Sequence, residues 1–323
     1  MSEPTRDARL NTLVRSAIRE AEKAAEDDDR AFLDTLRRYA PTQAAASGGG
    51  ARSISLDRSR TSRGARLSED PRYLANVRAL AHRTLSNARI LGGSAVRGSE
   101  FDDCVAVGDD ETWGCTGTLI APDVVLTAGH CEALHTRVFV GNDVRKRGRI
   151  FRIRRHVRHP RFTERYRNDV MLLILDNKIP GVKPRPVAAG ALIDAATDGR
   201  VVGFGTTDVE GTSGYGIKRQ TDVPVVSHAC RGRVKSKSDA TVYGCHAGLE
   251  IVAGKALLLR DTCKGDSGGP FFLADARGRW FLAGVTSRGT DLAATMCGDG
   301  GCYVRIDQYE DWIESETKKA RRR

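Results

Sequence analysis

The chain of 323 residues has little aromatic content, 6%, and no long apolar run. Its longest clean apolar stretch, Val170–Leu175, falls far short of the roughly 20 residues a membrane-spanning helix needs, so no membrane span is expected. The N-terminus, Met-Ser-Glu-Pro-Thr-Arg-Asp, lacks the apolar core of a secretory leader. No Cys-x-x-Cys pair occurs, which weighs against zinc. The loop around Arg145-Lys146-Arg147 lacks the carboxylates that calcium requires. Neither a metal nor a cofactor is therefore expected. What the chain does have is glycine, 34 residues, and eight cysteines confined to positions 104–302. An even cysteine set in one region reads as a disulfide framework and favours an extracytoplasmic or secreted home. The missing leader points the other way and keeps the cytoplasm open.

Residues 1–40 read as a helical segment. Leu10, Leu13, Val14, Ala17 and Ile18 recur at helical spacing, Phe32, Leu33 and Leu36 repeat the pattern, and Pro41 ends it. Residues 41–89 read as a basic linker. Up to about Gly64 it carries Ala, Ser, Gly and Arg and too little apolar surface to fold alone. Ser68 then starts a short amphipathic helix with Leu74, Val77 and Leu80, ending near Asn87. From Ile90 onward the texture changes. Short apolar runs, among them Val105–Val107, Thr118–Ile120, Val124–Leu126, Val138–Val140, Val170–Leu175, Val201–Phe204, Phe271–Leu273 and Phe281–Val285, are separated by Gly, Asp and Asn clusters. That spacing predicts an all-β barrel or sandwich. Ile306, Tyr309, Trp312 and Ile313 share one face of a terminal helix, followed by a basic tail, Lys318–Arg323.

The formal net charge is +11. Ten of the 21 residues from Arg145 to Arg165 are Lys or Arg, with Glu164 the only acid. Phe151, Ile153 and Val157 alternate with Arg152, Arg154, His156 and Arg158, as on a strand with one wet, cationic face. That face is either plain solvated surface or a docking site for an anionic partner. The arginines of residues 41–66 have no aromatic among them, so base stacking is not suggested there.

Three segments carry chemistry: Leu-Thr-Ala-Gly-His-Cys at 126–131, Asn-Asp-Val-Met-Leu-Leu-Ile-Leu at 168–175, and Asp-Thr-Cys-Lys-Gly-Asp-Ser-Gly-Gly-Pro at 261–270. A serine hydroxyl is a poor nucleophile until a base takes its proton. These segments resemble the chymotrypsin-like (trypsin) serine protease family, in this chain order of His, Asp and Ser. The resemblance runs from about Ile90 to Glu314. It implies two antiparallel β-barrels with a C-terminal helix, over a protease domain of residues 90–323 behind the helical and linker extension.

By that resemblance His130 is the general base, Asp169 orients it, and Ser267 attacks the carbonyl. The backbone N–H groups of Gly265 and Ser267 form the oxyanion hole. Glycine at 265 and 268 is expected to let the backbone approach the substrate. Asp261, six residues before the serine, lies at the base of the primary pocket and selects Arg or Lys, because a buried carboxylate requires a cationic partner. Gly289 and Gly301 leave room for that side chain, and Ser287 belongs to the strip that pairs with substrate backbone. Arg288 stands where most relatives have tryptophan, and with Lys264 at the rim it predicts a taste for acidic residues flanking the cut. The expected bridges are Cys115–Cys131, Cys230–Cys245 and Cys263–Cys297. Cys104 and Cys302 pair with each other, stay free, or rearrange through Cys297–Cys302. Asn-Ala-Arg-Ile-Leu-Gly-Gly at 87–93 resembles an activation site. It implies a zymogen in which cutting Arg89–Ile90 frees an ammonium on Ile90 to insert beside Asp266. A protein or peptide substrate cut after Arg or Lys is the expected partner. The rival readings are a catalytically inactive binding module of the same fold and a polyanion binder using 41–66 and 145–165.

Overall fold

The computed structural model describes residues 93–131, 135–207, 213–255, 261–293 and 297–321. The chain divides after Leu85, and all described residues belong to the second unit. The helices expected within 1–40 and 68–87, the linker, and the Arg89–Ile90 junction lie outside the described residues.

A short strand, β1 (Ser94–Ala95), comes first. Six strands then close a barrel: β2 (Cys104–Gly108), β3 (Cys115–Ala121), β4 (Val124–Thr127), β5 (Arg137–Val140), β6 (Arg149–Arg158) and β7 (Met171–Leu175), in the order β2-β3-β4-β7-β6-β5. After helix α1 (Gly190–Asp194) come β8 (Asp198–Gly203), β9 (Arg219–Ser227) and a small hairpin, β10 (Arg233–Val234) with β11 (Lys237–Ser238). Helix α2 (Asp239–Tyr243), β12 (Glu250–Ala253), β13 (Pro270–Ala274), β14 (Trp280–Gly289) and β15 (Gly301–Arg305) follow. The order β9-β12-β15-β14-β13-β8, closed by β8 against β9, makes a second antiparallel barrel, and β1 adds to it beside β9. A 3₁₀ turn (Ile306–Tyr309) leads into the terminal helix α3 (Glu310–Arg321). The fold is thus the expected pair of antiparallel barrels with a C-terminal helix.

Val, Leu and Ile runs suit strands because branched side chains pack well on a pleated surface. β2, β4 and β7 are buried along their whole length. Their core is continuous with Val202, Phe204, Phe272 and Leu282 of the second barrel and with Tyr309 and Ile313 of the C-terminal segment. Phe101 stacks on Phe272 at 5.3 Å across that seam. Burying each such ring contributes on the order of 1.5–3 kcal/mol.

The cationic strand β6 differs from a simple alternation. A register shift between Ile153 and Arg155 breaks the period. Several of its cations already have partners: Arg149 donates to the Pro180 carbonyl at 2.6 Å, Arg154 to that of Ala320 at 3.3 Å, and Arg152 lies 3.9 Å from Asp176. Lys318 and Lys319 belong to α3 rather than to a tail, pairing with Glu314 and Glu316.

Candidate active site

Glycine and histidine follow β4, and the next residue, Cys131, is tied by a disulfide to Cys115 at the start of β3. This staple fixes the chain on the far side of His130. Asp169, immediately before the strand run of β7, is wholly buried. Both its oxygens face His130. Oδ1 accepts the backbone N–H at 2.8 Å, and Oδ2 accepts Nδ1–H at 2.8 Å in the tautomer that puts the proton there. Asn168, the residue before Asp169, has φ of 54°, a region that asparagine tolerates. Its amide donates to the Arg161 carbonyl at 2.7 Å and accepts from Tyr309 Oη at 3.1 Å.

Ser267 arrives on the loop before β13. Its carbonyl accepts the Thr116 N–H at 2.8 Å and lies 3.5 Å from Cys131 Sγ, so the serine sits beside the residue next to His130. Among the described residues no hydrogen bond joins the Ser267 hydroxyl to His130; such links often tighten only when substrate is bound. The N–H groups of Asp266, Gly268 and Gly269 are taken by backbone carbonyls. No described acceptor takes those of Gly265 and Ser267. At Gly268 the φ is 78°, and a Cβ there would lie 2.0 Å from Thr127 Oγ1 and 2.5 Å from the Thr116 oxygen. The missing side chain lets the serine loop press against the first barrel.

Asp261 is 2% exposed. Its Oδ1 accepts from Thr262 N at 2.7 Å and from Tyr303 Oη at 2.5 Å, while Oδ2 accepts no described hydrogen bond. Burial pushes its carboxyl up to about 7, against the opposing pull of Tyr303 and Thr262. Gly289 and Gly301 face each other in register across β14 and β15, so this strand pair carries no side chain at that level. The disulfide Cys263–Cys297 joins the Asp261–Ser267 loop to the segment that leads into β15.

Asp266 is buried as well, with Oδ1 on Gly205 N at 2.7 Å and Oδ2 on Cys263 N at 2.8 Å. Burial raises its carboxyl to about 6, opposed by those two donors. Gly205 is needed here, since a Cβ would lie 2.6 Å from the Asp266 carboxyl carbon.

Ser287 falls where β14 and β15 slip register between Thr286 and Arg288. Its hydroxyl donates to Asp169 Oδ2 at 2.6 Å, a contact the sequence did not suggest. Arg288 is not a free cation. Its guanidinium forks onto Glu250, 2.7 Å to Oε1 and 2.9 Å to Oε2. Burial works against that charge, but Glu250 outweighs it and holds the guanidinium above its usual range. Lys264 is exposed. Tyr166, with φ of 60°, sets its ring edge-on to the His130 ring at 5.4 Å. Sequence reasoning missed Asn168, Tyr166 and Glu250. A lone acid inside Leu249-Glu-Ile-Val-Ala253 was the one available signal for the last.

The expected pairs Cys115–Cys131, Cys230–Cys245 and Cys263–Cys297 are all formed. Cys104 and Cys302 are both free and buried. Burial pushes both thiols up, that of Cys302 to about 12. No helix among the described residues is long and apolar enough to cross a membrane.

A family model described as Trypsin matches residues 90–313. The chain is also similar to serine protease snk of Drosophila melanogaster, 30% identical over 247 residues that cover 70% of this chain and 56% of that protein. It thus spans about half the length of that curated relative. A family match over most of the chain, on two barrels that bring the three motifs to one seam, means that the chain belongs to the trypsin family of serine proteases.

Proposed function

We propose that this protein is an endopeptidase that cleaves after arginine or lysine and is made as a zymogen. The observation that carries the reading is the clamp of Asp169 on His130, with the Ser267 carbonyl anchored beside Cys131. In this reading Ser267 Oγ bonds to the substrate carbonyl carbon while His130 Nε2 takes its proton. The charge that develops on the carbonyl oxygen is met by the uncommitted N–H groups of Gly265 and Ser267, fixed in place before the reaction. Collapse breaks the C–N bond as His130 returns the proton to the leaving amine. Water then repeats the sequence on the acyl-enzyme. Asp169 keeps the ring in the productive tautomer and balances the imidazolium.

Selectivity follows from Asp261. A buried carboxylate with an open Oδ2 gains most from a side chain that brings a cation and donors together. The glycine pair Gly289–Gly301 supports a slot of that length. Activation at Arg89–Ile90 is supported by the same pocket, which suits Arg89, and by Asp266, a buried carboxylate beside the serine, where an inserted ammonium would offset a cost of burial that the Arg219 charge only partly relieves. One processed molecule would then cut another.

The decisive experiment is labelling with a fluorophosphonate probe, alongside hydrolysis of arginine and phenylalanine peptide substrates. Processed protein should label and should prefer arginine, and Ser267→Ala should do neither. Absence of labelling in processed protein would favour an inactive binding module, and a preference for phenylalanine would remove the assignment to Asp261.

A further inference from the structure

The fork between Arg288 and Glu250 lies directly behind the reacting groups. Glu250 opens β12 and is 1% exposed; the Arg288 side chain is 17% exposed. Besides the fork, Arg288 Nη2 donates to the Gly244 carbonyl at 2.7 Å and Nη1 reaches Ser287 Oγ at 3.3 Å. Ser287 gives its own proton to Asp169 Oδ2 at 2.6 Å, and the same oxygen holds His130 Nδ1 at 2.8 Å. The links form one unbroken path: Glu250, Arg288, Ser287, Asp169, His130.

Two physical consequences follow. A serine hydroxyl has one proton and a free rotor. With an Arg288 N–H occupying its lone pair, the proton is left for Asp169. The pair is also polarised along the path, cation near and anion far. At the imidazole the nearer charge dominates, and Glu250 subtracts from it. A buried ion pair adds little net stability over an apolar pair of the same volume, so stability alone is a weak reason for it. We infer that Arg288 and Glu250 are positioning residues for the His130–Asp169 pair: Arg288 locks the Ser287 hydroxyl onto Asp169, and Glu250 sets how much of the Arg288 charge reaches the imidazole.

Other ionisable groups face this path. Tyr166 lies between the His130 ring and Arg288. The His246 N–H donates to Glu250. Cys302 borders Arg288 and is itself faced by Asp291, and Tyr309 stands within reach of Glu250, Arg161 and Arg167. None of them is replaced in the variants below, so the charges that differ between variants are those of the pair.

The inference extends the proteolytic reading, but its readout does not require turnover. In full-length protein the His130 imidazole is titrated by 1H–15N NMR, assigned against His130→Gln, with the pH profile of kcat/KM of the processed protein in parallel. Glu250→Gln keeps the shape and leaves the cation unbalanced. The His130 midpoint should fall by about 0.3–1 pH unit, a twofold to tenfold change in proton affinity. An unchanged or raised midpoint overturns the proposal. If Glu250→Gln does not fold, the double variant Arg288→Met with Glu250→Met removes both charges at similar volume. Its midpoint should rise relative to the unmodified protein, and superposed titrations overturn the proposal. Variants that show these shifts, in a protein that hydrolyses nothing even after processing at Arg89, would sink the proteolytic reading alone. An active enzyme with superposed titrations would sink only this one.

Discussion

Asp261 spends its resting state partly protonated at neutral pH, because burial lifts its carboxyl to about 7. With Asp261 as the proposed pocket base, an entering cation binds the ionised form, so binding expels a proton wherever the empty pocket holds one. Benzamidine affinity should drop roughly fivefold from pH 7 to pH 6 on this account, as the ionised fraction falls. Calorimetry in two buffers should find close to one proton released at pH 6 and little at pH 8. Proton release that does not vary with pH would mean the ligand sits away from Asp261. At this scale the motif residues were legible because the chemistry packs them into contiguous strings around His130, Asp169 and Ser267. Glu250 and Tyr166 were not, since their importance comes from what the fold sets beside them. Ser287 was read for its backbone, and its hydroxyl contact with Asp169 appears only once β14 and β15 slip register.

Helix α3 is docked through a histidine. His159 lies edge-on against Tyr309 at 5.3 Å and Trp312 at 5.0 Å, and its Nδ1 accepts the Arg161 N–H at 3.3 Å. Burial, then the nearby Arg161 charge, holds this ring below its ordinary 6.5. The neutral ring is therefore the folded form. Its contribution is complete above 6.5 and is lost as pH falls through the interval below, where the unfolded chain takes up the proton first. Thermal melts should decline from pH 7 to pH 5, and His159→Gln should flatten that decline; an equal decline in the variant would place its origin elsewhere. The bridge Cys263–Cys297 offers a second element-scale test. Replacing both with serine should cost about 2–4 kcal/mol in urea unfolding, and should raise KM for arginine substrates more than it lowers kcat. An unaltered KM would show that the pocket loop is held by other contacts. Most strands were readable from apolar runs or alternation, but β9, β12 and β15 were not, nor were the two-residue strands β1, β10 and β11. Asp222 and Pro224 interrupt the first, a buried acid opens the second, and the third emerges from the glycine-rich segment 297–301.

For the whole molecule the main question is when it becomes active. Asp266 is already folded inward onto Gly205 and Cys263, and burial raises its carboxyl although those two donors and the Arg219 charge pull the other way. N-terminal sequencing of active protein should begin at Ile90, and Arg89→Gln should remain full length and unreactive to the fluorophosphonate. Full activity in uncut protein would end the zymogen proposal. Purified Ser267→Ala that is still cut at Arg89 would end only self-activation. The seam between the barrels bears on how any such preparation is judged. His130 and Asp169 belong to the first barrel, and Ser267, Ser287 and Asp261 come with the second. A displacement of about 1 Å between reacting groups is enough to cost on the order of a hundredfold in rate. The seam thus works as a ruler laid across two separately closed cylinders. A sample whose halves have slipped along it would keep a full β-sheet circular dichroism spectrum while its titratable serine disappears, so counting labelled sites measures alignment where spectroscopy measures only folding.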